Sequence, residues 1–133
     1  MQGRPDLARA RLLAAVNRYA LSPKPTVALA SLLQRAGRHR AAIRWFERTL
    51  DLAHDPSDEE AWTAAFQGGL CSAKLAYSHP SHAEWLLPRA THWLTCALES
   101  CPAAQRNEVE AFLRQAEALH EALAGRSAAP MAS

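Results

Sequence analysis

At 133 residues the chain is long enough to bury one hydrophobic core without disulfides or a structural metal. Hydrophobic residues at 49% and charged residues at 21% exclude a disordered composition, and the longest apolar runs are too short for a membrane span. Net charge is only +2, but residues 1–55 carry ten Lys or Arg against four Asp or Glu and residues 56–133 five against nine, so the halves are near +6 and −4. That polarity suits contacts between unlike surfaces and lacks the continuous basic stripe of a nucleic-acid binder, which argues against a nucleic-acid partner.

Few glycines and aromatic residues, with abundant Ala, Leu and Arg, favour helices throughout. Pro5 and Asp6 open the first, in which Leu7, Ala8, Leu12, Ala15 and Val16 recur at helical spacing as far as about Ala20. "SPKP" at 22–25 breaks the chain, and a second helix carries Val27, Leu29, Ala30, Leu32 and Leu33 to Ala36, where Gly37 supplies the stop. A third runs from about Arg38 to Ala53. Pro56 ends it, and Ser57 or Asp58 caps a fourth that passes through Trp62, Ala65, Phe66, Leu70 and Leu75. "SHPSH" at 78–82 reads as a loop, Ala83 to Leu87 as a short helical turn, and a fifth helix is expected from about Pro88 to Ser100. The sixth aligns Val109, Phe112, Leu113, Ala116, Leu119 and Leu123 on one stripe, and residues 125–133 are expected to be a disordered tail after a single domain at 1–124.

A shift of 34 residues lays Gly3-Arg4 on Gly37-Arg38, Ala8 on Ala42, Leu12 on Phe46, Ala15 on Thr49 and Val16 on Leu50. Residues 23–56, with Leu29-Ala30 and Leu33 in one helix, Gly37 at the turn, and Ala42-Ile43, Phe46, Thr49 and Leu50 in the next, resemble a tetratricopeptide repeat. The match departs where the family's first aromatic is Thr26, its tyrosine Leu33, and its last proline two positions late at Pro56. A second unit, with Trp62 in one helix and Ala90, Leu94, Ala97, Leu98 and Pro102 in the other, is twelve residues too long, so either the fourth helix is extended or "SHPSHAEWL" loops out. The resemblance covers about residues 3–124 and implies an all-α, right-handed helix-turn-helix superhelix of about six helices. A plain antiparallel helical bundle is the alternative.

By position, the resemblance places partner binding on a concave face carrying Lys24, Val27, Ala28, Ser31, Gln34 and Arg35, continuing to Glu60, Thr63, Ala64 and Gln67. Family members that clamp a C-terminal carboxylate use Lys, Arg and Asn where this chain has Val27, Ala28 and Ser31, so that activity is not implied. The implied function is protein interaction without catalysis, as a scaffold, adaptor or assembly factor, or as a small chaperone of a bacterial secretion system. The expected partner is another protein or a peptide segment, with self-association through the first helix as an addition. No cofactor is implied.

Cys71, His79, His82, His92, Cys96 and Cys101 fall within 31 residues, but no C-x₂-C pair joins them, and Cys71 and Cys96 sit where small core residues belong. Only Cys96 with His92, at helical spacing, offers a thiol beside a base. A zinc- or thiol-dependent enzyme around residues 71–101 is therefore the rival reading. Arg40, Arg44 and Arg48 line one helix face interrupted by Glu47 and Asp51, a solvated outer face or a surface for an acidic partner, and His39 shows no catalytic neighbour. Three cysteines in no disulfide framework, without a secretory signal, suggest a reducing cytoplasm. Thirteen arginines against two lysines point to a GC-rich, bacterial coding source.

Overall fold

Helix-period apolar residues separated by Pro and Gly turns fold the chain into α1 (Pro5–Arg18), α2 (Pro23–Arg35), α3 (His39–Leu52), α4 (Glu59–Ser78), α5 (Ala83–Ser100) and α6 (Arg106–Ala132). Short 3₁₀ turns at Pro80–His82 and Ala103–Gln105 precede α5 and α6. The computed structural model describes residues 5–55 and 58–132, and among them there is no strand.

The α2–α3 hairpin shows how sequence sets each junction. Ser22 caps α2 by accepting from the Lys24 amide, with Pro23 in the first turn, where no amide is needed. At the other end Gly37 adopts φ +79°, which lets its own amide reach the Gln34 carbonyl at 3.0 Å and the Arg38 amide reach Leu33 at 2.9 Å. The chain therefore reverses within three residues, and Leu29, Ala30 and Leu33 of α2 meet Ala42, Ile43 and Phe46 of α3 in one buried cluster. Thr26 and Thr49, which stand where the repeat pattern has an aromatic and a small residue, are both buried, with their hydroxyl oxygens 2.9 Å apart. Thr26 donates to the Pro23 carbonyl, so this contact carries polar atoms into the core with their bonding capacity used.

Of the two alternatives for the extra length of the second unit, the extended helix is the one found: α4 continues to Ser78 and α5 begins at Ala83, so no long loop extrudes between them. Two other boundaries differ from expectation. Pro88 lies inside α5 instead of opening it. Its missing amide forfeits the bond to the Glu84 carbonyl, but both residues are exposed, whereas Ala83, Leu86 and Leu87 of the preceding turn are buried and hold that turn as helix. Helix α6 runs on to Ala132, past the tail boundary read at Gly125; an interior glycine weakens a helix by about 1 kcal/mol without removing its amide. Gly3-Arg4, Pro56 and Ser57 lie outside the described residues.

Each helix packs against the next in sequence. Beyond that, α2 touches α4 and α4 touches α6, whereas α1 and α3, or α3 and α5, make no backbone contact among the described residues. The even-numbered helices therefore share one side of the stack and the odd-numbered ones the other. Gly68 and Gly69 allow a close approach, with Trp93 and Phe46 against the first and Leu94 against the second. A second buried cluster joins Ala65 and Phe66 of α4 to Leu94 and Ala97 of α5 and to Val109 and Ala116 of α6.

Candidate binding grooves on the even-numbered helices

Because α2, α4 and α6 touch only along part of their length, two depressions open between them. The first, of about 360 Å³, is lined by Lys24, Val27, Ala28 and Ser31 of α2 and by Glu59, Glu60 and Thr63 of α4. It thus brings together six residues read from the sequence as a binding face and adds Glu59. Its charges are mixed, with one ammonium opposite two carboxylates. Gln34 and Gln67, also read on that face, donate and accept across α2 and α4 at 2.8 Å. Arg35 is exposed and lines neither depression. Ala64 is a correction: it is fully buried among α2 and α3 core residues and presents nothing to a partner.

The larger groove, about 680 Å³, lies between α4 and α6. Leu70, Ala73, Lys74, Tyr77 and Ser78 form one wall, Phe112, Gln115, Ala116 and Leu119 the other, and Leu94 of α5 lies beneath. Gln34 and His39 close the α2–α3 end. Each wall is a set of helix neighbours at three- and four-residue steps, so the groove runs about 10 Å along both helices. In the sequence Phe112 and Leu119 read as part of a core stripe, and nothing local marks Lys74 or Tyr77. Leu70, Ala73, Lys74 and Tyr77 recur on one α4 face, but only the spacing of α6 shows that this face stays uncovered.

Gln34, His39, Lys74, Tyr77, Ser78 and Gln115 bring polar atoms to the groove. Lys74 is exposed and makes no ion pair among the described residues, and no carboxylate lines the groove. Nδ1 of His39 is buried without a hydrogen-bond partner. Burial first, and the Lys74 ammonium second, hold the His39 pKa below its ordinary value, so the ring favours its neutral form. Volume and apolar lining with a few converging polar groups are what a binding depression requires.

The cysteine and histidine residues do not converge. No group of three His, Cys, Asp or Glu side chains among the described residues could hold a metal ion. Cys71 is buried, and that burial pushes its thiol up to about 12 against the smaller opposing pull of Lys74. Cys96 Sγ lies 3.8 Å from His92 Nε2, but burial and then Glu99 raise its pKa, which disfavours the thiolate a nucleophile needs. On the opposite side of the stack Arg40, Arg44 and Arg48 are exposed. Arg40 Nη2 donates to His82 Nδ1 at 3.2 Å, while Arg89 pairs with Glu47 at 3.3 Å and lies over Trp85 and Trp93 at 5.9 and 5.4 Å from the ring centres. These contacts tie α5 and its leading turn to α3.

No protein-family model, curated protein or solved structure matches this chain.

Proposed function

We propose that the chain is a tetratricopeptide-like interaction module that seats a segment of another protein against α2, α4 and α6 and carries out no chemistry. The observation that carries this reading is the apolar groove of about 680 Å³ between α4 and α6. Supporting it, the hairpin at the repeat match buries Ala30 and Leu33 with Ala42 and Phe46, and among the described residues α4 makes backbone contact with α2 and α6, whereas α3 makes none with α1 or α5 and reaches α5 through side chains alone. A stack of two-helix units has that alternation, because the first helix of each unit meets both its own partner and the next first helix. Three free thiols favour a reducing, cytoplasmic setting.

Site-specific photo-crosslinking in the native host tests it. A benzophenone side chain at Leu119 in the large groove or Thr63 in the small one is expected to trap a discrete protein, and one at Arg44 on the outer face is not. Trapping from Arg44 alone would refute the placement.

A further inference from the structure

We infer that the α4–α6 groove takes an amphipathic helix whose apolar stripe is flanked by a carboxylate, and that Lys74 selects that charge. This rests on the interaction reading above and names the chemistry of the segment bound. The form of the occupant follows from hydrogen-bond accounting. An extended segment must place each backbone amide and carbonyl on a partner, and two helical walls present no free backbone edge to pair with, only side chains, half of them apolar: Leu70, Ala73, Leu94, Phe112, Ala116 and Leu119. Gln34, the amide side chain at the closed end, already donates to Gln67. A helix satisfies its own backbone and needs only a trough for side chains at i, i+3 or i+4 and i+7. Two walls built from helix neighbours over about two turns, with Leu94 beneath, form such a trough.

The charge follows from the lining. Among the described residues Lys74 is the sole charged one lining the groove; it stands exposed and makes no ion pair there. Among the described residues no carboxylate lines the groove to compete for it, and His39 beside it favours its neutral form. A carboxylate one helical step from the apolar stripe therefore meets an uncompensated ammonium, whereas a lysine there meets repulsion. The mixed charges of Lys24, Glu59 and Glu60 give the smaller depression no such sign. Selectivity for acid thus belongs to the α4–α6 groove.

Three fluorescein-labelled peptides of about 15 residues, with the same leucine stripe and Glu, Gln or Lys at one flanking position, test the inference by fluorescence anisotropy. Wild-type protein is expected to prefer Glu to Lys by about tenfold at low salt, with the gap shrinking at high salt. In Lys74→Glu the order is expected to invert, and in Leu119→Glu all three are expected to bind weakly. Equal binding of the three peptides, abolished by Leu119→Glu, would overturn the charge selection and leave the groove as the binding site. An order that persists in Lys74→Glu would also overturn it. Failure of all three to bind wild-type protein, or binding indifferent to Leu119→Glu, would overturn the helix-in-groove inference and count against the groove itself. Circular dichroism of each variant confirms that it is folded, which the exposure of Lys74 and partial exposure of Leu119 allow.

Discussion

Replacing Gly68 by alanine probes the tight contact of α4 with α3 and α5. A methyl group there would lie 2.5 and 2.6 Å from two ring carbons of Trp93 and 3.2 Å from Cβ of Phe46. On an open helix face the change would stabilise by about 1 kcal/mol, because alanine is the better helix former. Here Trp93 is buried with Arg89 over its ring and Phe46 is fully buried on the other side, so neither neighbour has room to retreat. Overpacking of a filled core costs about 1–3 kcal/mol, and contacts this short belong at the top of that range. The net expectation is a loss of about 2 kcal/mol, which for a chain of this length lowers Tm by about 8 °C. Urea denaturation followed by circular dichroism should show a lower midpoint with an unchanged slope. In the Gly68→Ala/Trp93→Leu double variant the losses should fall short of additive, since the smaller side chain vacates the contested space. A Gly68→Ala protein as stable as wild type, or strictly additive losses, would refute the packing of α4 between α3 and α5.

Gly37→Ala, where φ is +79° and the space is open, should cost about 1 kcal/mol from backbone strain alone, read by the same denaturation. His39→Leu removes a buried nitrogen without a partner and should leave stability unchanged or raised by about 1 kcal/mol. Because the folded-state pKa of His39 lies below its unfolded value, the unfolded chain takes up the proton first. The stability linked to this group is whole above pH 6.5 and is lost as the pH falls through the folded-state value, so His39→Leu should flatten that part of the stability–pH curve. Iodoacetamide labelling with mass spectrometry should modify Cys96 and Cys101 before Cys71, whose thiol is buried and raised to about 12; rapid labelling of Cys71 in folded protein would contradict its place in the core.

Much of the fold was legible because helix period, Pro and Gly act locally. Ser22 with Pro23, and Gly37 at positive φ, mark α2 and its turn in the sequence itself. Pro88 misled for a tertiary reason: the burial of Leu86 and Leu87 outweighs one lost hydrogen bond, and burial is not a property of residues 83–88 alone. The candidate face was half legible. Lys24, Val27, Ala28, Ser31, Glu60 and Thr63, which the repeat resemblance places on one face, meet around one depression. The larger groove depends on how far α6 stands from α4, and Phe112 and Leu119 look the same in sequence whether they face the core or a trough. Ala64 erred in the other direction, since a small residue beside Thr63 on α4 is turned into the core.

A methyl NMR titration with the protein segment recovered by crosslinking reads where that segment sits. Seating between α4 and α6 should give the largest shifts at Leu70, Leu94 and Leu119, with little change at Ile43 or Leu86 in the core. Shifts confined to the outer face near Arg40, Arg44 and Trp85, with the groove methyls unmoved, would contradict it.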